Sequence, residues 1–447
     1  MKKYMMNFCE GPIAPAMVQF AVPLMLTNLL QMLYNAVDAV IVGRFVSSSA
    51  LGAVGTSMPV IGLILNVAFG LSAGGGILMA QAVGAKDAEK CERVVHTAVL
   101  LGSVIGALLL VLGPFIGRLL LGMMGVPENV IDDATLYMNL YFLGIVGTMV
   151  CTFGCAILRA AGDSRRPMIF LMISGIVNVI LDLLFVAVLS MGIAGAAIAT
   201  VIAQYVSAVF TLIALKTSDG ALRLEWKRLK LYKDTFLQMV RVGVPIGMQG
   251  AVFNIANVII QASVNTFGSD AMAGYTAADN IGGFIYIGLN CIGQTATTFA
   301  GQNFGAKAYG RVKKTVWWSF LFSIVVSLVL SAVAVIFGES LIRIYNPGNS
   351  VAVEYGMILM LYVNGLYVIY GLIEVFSGSV RGMGITFAPM LVSVLGICGV
   401  RVAWVYTVFQ SVKSLESLVL AFPVSWAITA LFFFLFYLYI KKKKLQE

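Results

Sequence analysis

Long apolar stretches recur along the whole chain and constrain its fold more than any other feature. About 20 apolar residues suffice to cross a bilayer as a helix. Hydropathy, together with Gly, Pro and charged breaks, predicts twelve spans. They are Pro15–Gly43, Ala50–Val83, Thr97–Leu121, Leu136–Leu158, Pro167–Ser190, Ile193–Lys216, Phe236–Phe267, Ala271–Phe304, Thr315–Tyr345, Glu354–Val380, Pro389–Phe409 and Ser417–Ile440. Only 11% of the residues are charged, against about 25% in soluble domains, so we predict an all-α polytopic membrane protein.

The chain also repeats itself at a nearly constant interval. Val22-Pro23 recurs as Val244-Pro245, a shift of 222 residues. The same interval, to within one residue, relates Gln81-Ala-Val-Gly-Ala-Lys to Gln302-Asn-Phe-Gly-Ala-Lys, and Arg159 and Pro167 to Arg381 and Pro389. A fixed interval across separate motifs indicates duplication. The even number of spans in each copy predicts two parallel six-helix repeats, with lobes at residues 1–216 and 236–447 joined by an amphipathic cytoplasmic linker at 217–235.

Lysine and arginine lie mainly beside one set of span ends, which predicts the orientation in the membrane. One side collects 24 of these residues, and the other has only Arg44, Arg118, Arg343, Arg401 and Lys413. We therefore expect a multi-pass protein of the inner (plasma) membrane with both termini cytoplasmic. The net charge of +9 is explained by loops that face the lipid bilayer, so no nucleic-acid partner is expected.

The first apolar stretch carries an acid, Asp38, where an acid is expensive. A carboxylate inside a spanning helix costs about 2.5–3.5 kcal/mol on insertion scales and is a functional candidate. It ends a stripe of polar residues on one helical face, formed by Thr27, Gln31, Tyr34, Asn35 and Asp38. The stripe is predicted to face other helices or a water-filled cavity. Pro23 lies within the same stretch and is the candidate hinge, because proline removes a helical hydrogen bond.

Further polar groups in the first lobe are predicted to meet Asp38. Asn178 and Asp182 share one face of the fifth span, and Thr200 lies at a similar depth on the sixth. Two carboxylates in one low-dielectric pocket cannot both ionise cheaply. We expect Asp38, Asp182, Asn178, Tyr34 and Thr200 to bind a coupling ion, with H⁺ and Na⁺ both open. The structural alternative is a buried polar network that fixes helix packing.

The second lobe has a polar stripe of its own. It consists of Asn254, Asn257 and Gln261 on the seventh span, Asp279 and Asn280 on the eighth, and Glu374 on the tenth. We predict a substrate cavity lined by Gln31, Asn35, Asn254, Asn257, Gln261 and Glu374. Glu374 could bind a cationic substrate or a second ion, or it could pair with Arg381 two turns further along the helix. Asp279 is expected to be structural.

Taken together, these features resemble the multidrug and toxic compound extrusion (MATE) family of transporters. The resemblance rests on the six-plus-six repeat, the Pro23-to-Asp38 stretch, the Gln81 and Arg159 motifs and their second-half counterparts. It implies a V-shaped two-lobe bundle and export of amphipathic, often cationic, compounds driven by inward H⁺ or Na⁺. The seventh span, VPIGMQGAVFNIANVIIQ, has no acid, so the chain is more similar to the DinF-type branch than to the NorM-type branch. Thr152 and Cys155 stand where some relatives have asparagines.

Two other functions fit the sequence less well. A membrane-embedded enzyme would need a clustered catalytic or metal-binding set, and the six cysteines form no such pattern, so we predict neither enzyme activity nor a metal site. A flippase for a lipid-linked substrate shares the broad architecture but would need more cationic residues in its cavity. The predicted function is an ion-coupled antiporter of small molecules that works by alternating access, as a monomer and with no cofactor beyond H⁺ or Na⁺.

Overall fold

The computed structural model describes residues 6–123 and 128–446, and nearly all of them are helical. The first half contains seven α-helices because its fourth predicted span is divided in two. They are α1 (Ile13–Phe45), α2 (Ser48–Gly84), α3 (Ala88–Met123), α4 (Glu128–Leu143), α5 (Ile145–Ala160), α6 (Arg165–Asp182) and α7 (Gly192–Lys216). A π-helical turn, Leu183–Val188, continues α6.

The second half follows the same order, with more interruptions near its end. Its helices are α8 (Lys233–Val264), α9 (Ser269–Gly305), α10 (Tyr309–Ile336), α11 (Gly338–Tyr345), α12 (Ser350–Tyr362), α13 (Tyr367–Gly382), α14 (Phe387–Ser393), α15 (Val400–Tyr406), α16 (Val408–Ser411), α17 (Leu415–Val419) and α18 (Ala421–Lys444). A second π-helical turn, Val394–Gly399, joins α14 to α15.

Ten helical spans in the described ranges are long and apolar enough to cross a membrane. The segments 130–143 and 145–160, bent by 53° at Gly144, add an eleventh if they count as one span. The predicted eighth span, 271–304, forms the continuous helix α9 but is not among these spans. The reason is that α10, α12 and α13 pack around α9, so most of its surface contacts protein and need not be apolar.

The chain folds into two compact units whose borders differ from the predicted lobes. Unit 1 contains Val22–Gly247, and unit 2 contains Phe8–Ala21 and Met248–Glu447. The start of α1 therefore packs in the second unit, and the start of α8 packs in the first. These exchanged segments occupy equivalent places in the two repeats, so the exchange follows from the duplication. Hydropathy could not predict it, because hydropathy does not identify a helix's neighbours.

Aromatic stacking and one arginine hold the segment before α1 in unit 2. The Phe8 ring stacks on Phe299 with 3.8 Å between centroids and meets the edge of Phe20. Arg311 donates hydrogen bonds to the carbonyl oxygens of Phe8 at 2.9 Å, of Glu10 at 3.3 Å and of Gly11 at 3.0 Å. This segment is thus fixed by side chains of α9 and α10.

The predicted linker, 217–235, contains two single 3₁₀ turns, and its last three residues begin α8. The linker packs in unit 1. Its Glu225 N–H lies 3.2 Å from Nε2 of the buried His96, and Tyr232 N–H donates to Thr97 Oγ1 at 3.3 Å. Arg228 forms a 3.0 Å ion pair with Glu92, and its two acidic neighbours raise the pKa of the guanidinium. These contacts hold the linker against the start of α3, so at least one basic residue of the linker, Arg228, contacts protein.

Candidate functional site

The five residues predicted to bind the coupling ion come together inside unit 1. Helical spacing brings Tyr34 and Asp38 to one face of α1, and Asn178 and Asp182 to one face of α6. Thr200 faces them from α7, and its hydroxyl accepts a hydrogen bond from Asn178 Nδ2 at 3.4 Å. Tyr34 and Thr200 border the same cavity. Side chains from three helices therefore form one cluster.

Asp38 and Asp182 are the centre of this cluster. Asp38 is 4% exposed and Asp182 is fully buried. Their carboxyl groups are neighbours that interact electrostatically. Two ionised carboxylates in such contact repel each other and lack hydration. The arrangement therefore favours a bound proton or cation between the two side chains.

Several buried oxygen atoms in the cluster have no donor. No described residue donates a hydrogen bond to Asp38 Oδ1, to either carboxylate oxygen of Asp182, or to Asn178 Oδ1. Buried polar atoms are normally paired, and each unpaired one costs about 1–3 kcal/mol. These oxygens are the ligand type that hard cations such as Na⁺ prefer, and the carboxylates can also take up protons. Within the described ranges, no group of three His, Cys, Asp or Glu side chains is placed to hold a metal ion.

A cavity of about 260 Å³ opens beside the carboxylates within unit 1. Four members of the polar stripe, Gln31, Tyr34, Asn35 and Asp38, line it together with Thr200. Sequence reasoning missed the polar lining on the other helices, which consists of Tyr141, Thr148, Ser174, Gln204 and Ser207. None of these residues is charged, so hydropathy gave no signal for them. Thr152 also lines the cavity, whereas Cys155 is buried against Thr211.

A helical irregularity follows Asp182 directly. The α6 helix ends at Asp182, and the π-helical turn Leu183–Val188 begins at the next residue. Such turns contain one additional residue relative to an α-helix and occur often at functional sites. Here the turn directly follows one of the two carboxylates of the cluster.

Glu374, one of the predicted substrate-cavity residues, is engaged by protein side chains. It is 8% exposed, and its Oε1 accepts a hydrogen bond from Tyr370 at 2.7 Å. Its Oε2 lies 3.7 Å from Arg381 Nη2. Of the two alternatives from the sequence, the ion pair with Arg381 is therefore present in the structure. Asn254 and Asn257 are exposed, and Gln261 donates to Asn265 on its own unit.

Arg401 corrects the sequence analysis, which counted it among the arginines on the outer side of the membrane. The structure buries it inside the span Phe387–Ser411 with 6% exposure. Its Nη1 donates to Asn257 Oδ1 at 3.3 Å. A signal was available, because residue 401 falls within the predicted span 389–409. The second unit thus has an interior cation as well as the predicted acids.

Pro23 lies close to the point where α1 passes from one unit to the other. The helix continues through Pro23, and the Thr27 hydroxyl donates to its carbonyl oxygen at 2.7 Å. The border between units falls two residues earlier, and Pro245 lies equally close to the border within α8. A missing backbone N–H at these points makes each helix easier to bend there.

Comparison with known proteins gives consistent matches over the whole chain. The MatE family model matches residues 23–184 and 245–407, one match for each repeat. The chain is 26% identical to "Probable multidrug resistance protein YoeA" of Bacillus subtilis (strain 168), over 96% of this chain and 94% of the relative.

Solved structures match equally widely. A transporter of the MOP superfamily from Pyrococcus furiosus superimposes with a TM-score of 0.92 at 20% identity, over 98% of each chain. An outward-facing multidrug resistance MATE family transporter of the same superfamily gives a TM-score of 0.91, also at 20% identity and 98% coverage of each chain. At this identity the likeness shows a shared fold.

Proposed function

Because the chain belongs to the MatE family of transporters, we propose that it exports amphipathic, often cationic, drugs or metabolites in exchange for H⁺ or Na⁺. It is a multi-pass membrane protein, and relatives over its full length are named as multidrug resistance proteins. The observation that carries the proposal is the buried Asp38–Asp182 pair, with unpartnered oxygens, beside a cavity in unit 1. The assignment of the chain to the DinF-type branch of the family stays a prediction.

In the proposed mechanism the carboxylate pair is the coupling site. A proton bound there neutralises one buried charge, and a Na⁺ ion would be bound by Asp38, Asp182, Asn178 and Thr200 oxygens. Tyr34 and Thr200 position the pair from the neighbouring helices. Because an unneutralised pair is costly in a low dielectric, ion binding and release change the relative free energy of the transporter's conformations.

Substrate export follows if the loaded and empty pair favour different conformations. Gln31 and Asn35 line the same cavity as Asp38, so a cationic substrate bound there competes electrostatically with the coupling ion. We propose that neutralising the pair bends α1 near Pro23 and favours substrate release. The exposed polar side chains of Asn254 and Asn257 provide further contacts in the second unit, and Glu374 acts through its pair with Arg381.

The remaining parts of the proposal concern the protein in its membrane. We propose a monomer in the inner (plasma) membrane with both termini cytoplasmic, consistent with the lysine and arginine distribution. It would need no cofactor other than the coupling ion, carry out no covalent chemistry, and have small molecules and the lipid bilayer as its partners.

Drug efflux from proteoliposomes tests the coupling. A pH gradient is imposed with and without a Na⁺ gradient, for wild type, Asp38→Asn and the control Asp132→Asn, an exposed acid of the same unit. We expect gradient-driven efflux in wild type and the control, and none in Asp38→Asn; the effective gradient identifies the ion. Efflux in Asp38→Asn equal to that of wild type would refute the role of the pair.

A further inference from the structure

Arg401 is an interior cation that has only neutral partners at bonding distance. Its Nη1 donates to Asn257 Oδ1 at 3.3 Å and its Nε to Ser425 Oγ at 3.3 Å. Its guanidinium carbon lies 4.1 Å from the centroid of the Phe422 ring. No carboxylate of the described residues lies within the 4.0 Å ion-pair distance of Arg401. The positive charge is thus solvated by protein dipoles and an aromatic face, and it is not neutralised.

A charge kept in this way calls for a functional explanation. A guanidinium in a membrane-spanning segment is expensive, and such residues normally pair with acids or serve binding and transport. Arginine has five N–H donors in a planar fork that suits carboxylate and phosphate groups. Asn257 and Ser425 use two of them. The side chain therefore retains donors for an anionic group.

The repeat places Arg401 at the counterpart of the coupling site. A shift of 222 residues pairs Asn178 with Val400 and Thr200 with Phe422. The π-helical turn Val394–Gly399 adds one residue before this point, so Arg401 takes the interior place of Val400. The contacts agree with this register, because Asn178 bonds to Thr200 in unit 1 and Arg401 stacks on Phe422 in unit 2.

Two polar side chains of unit 2 near Arg401 are exposed. Asn257 on α8 and Asp279 on α9 are both exposed. Polar and ionisable side chains at membrane depth normally face protein or water, which favours hydration of this surface of unit 2. Asp279 interacts electrostatically with Arg401, but the two side chains do not come within the 4.0 Å of an ion pair. A positive and a negative group of unit 2 therefore stand apart, and Asn257, which bonds to the cation, is itself exposed.

We propose that Arg401 and Asn257 bind the anionic group of a zwitterionic amphipathic substrate, while Asp279 attracts the cationic group of the same molecule. This inference rests on the proposed export function and narrows its substrate class. It explains why the chain keeps a guanidinium that has no ion-pair partner. It also explains why Asp279 does not form an ion pair with Arg401.

Binding of two matched dyes to the purified protein tests the proposal. One is a rhodamine with a free carboxylate, which is a zwitterion, and the other is its methyl ester, which is a cation. Fluorescence polarisation gives both dissociation constants without any ion gradient. In wild type we expect tighter binding of the acid. In Arg401→Gln we expect the acid to bind about tenfold more weakly, as loss of a charge-assisted hydrogen bond implies, while binding of the ester changes less than twofold.

Three further variants make the result specific. Arg343→Gln removes an exposed arginine of the same unit and should leave both dyes unchanged. Arg401→Lys keeps the positive charge but lacks the planar guanidinium, so it should retain part of the preference for the dye with the free carboxylate. Asp279→Asn should weaken the binding of both dyes, since both carry the cationic group. Equal weakening of both dyes by Arg401→Gln, or no preference for the acid in wild type, would overturn the proposal. Failed gradient-driven efflux would instead refute the antiport and leave these binding constants standing.

Discussion

Asp182→Asn separates a coupling role for the carboxylate pair from a purely structural one. In the structure both carboxylate oxygens of Asp182 are buried and without a donor, and Asp38 is its neighbour. Asparagine has nearly the same shape but no charge, and its amide can donate to Asp38 Oδ1. If the pair serves ion coupling, the protein keeps it at a cost in stability, and the variant should be more stable than wild type.

The expected gain can be worked from the orphaned oxygens. An unpaired buried polar atom costs about 1–3 kcal/mol, and a hydrogen bond to a charged group contributes about 1.5–3 kcal/mol. Satisfying Asp38 Oδ1 and removing one of two facing charges should therefore stabilise unit 1 by about 1–3 kcal/mol. For a domain of about 150–250 residues this corresponds to a rise in Tm of roughly 2–12 °C.

Thermal unfolding in detergent, followed by intrinsic fluorescence, measures the change in Tm, and efflux from proteoliposomes is measured on the same preparation. We expect Asp182→Asn to raise the Tm and abolish coupled efflux, and the exposed control Asp132→Asn to change neither. A fall in Tm of several degrees, with efflux retained, would refute the reasoning, because it would mean that the Asp182 carboxylate is a structural group with partners that it needs.

Two further predictions concern packing within unit 2. In Gly378→Ala the new Cβ would lie 2.4 Å from the Gly293 carbonyl oxygen, so α9 and α13 must separate. We expect the free energy of unfolding to fall by about 1–3 kcal/mol, which is measured as a lower Tm. The control Gly122→Ala should leave the Tm unchanged, because its Cβ meets nothing within 4 Å. Phe8→Ala removes the ring that stacks on Phe299. The resulting loss of stability, about 3–5 kcal/mol, should expose the segment before α1 to limited proteolysis. Protection equal to that of wild type would contradict this role.

Most of the helices could be predicted from the sequence because membrane spans leave a strong apolar signal. The exceptions have physical causes. The predicted span 271–304 is present as α9, yet it is not among the ten spans of the described residues that are apolar enough to cross a membrane, since its neighbours cover it. The bend at Gly144 depends on a close approach to α7, where a Cβ would lie 2.0 Å from Gln204 Oε1. Such tertiary contacts cannot be inferred from periodicity.

The site was predictable where its residues are charged and lie on regular helices. Asp38 and Asp182 stood out because acids are costly in a membrane, and helical spacing located Tyr34 and Asn178 beside them. The uncharged lining residues Tyr141 and Gln204 gave no such signal. Arg401 was misplaced because it was counted with the basic residues of the outer side, although it falls within the predicted span 389–409. Which face of its helix is interior depends on the π-helical turn at Val394–Gly399, and that turn could not be inferred from the sequence.

The repeat shows how one fold can separate two kinds of charge. The counterparts of Asp38 and Asp182 in the second half are Ile260 and, with the one-residue shift of the π-helical turn, Val405, so neither position is acidic there. Conversely, the interior guanidinium of Arg401 has the neutral Asn178 as its counterpart in unit 1. In the proposed mechanism, this difference between the repeats leaves the carboxylates of unit 1 available for H⁺ or Na⁺ and the guanidinium of unit 2 available for an anionic group.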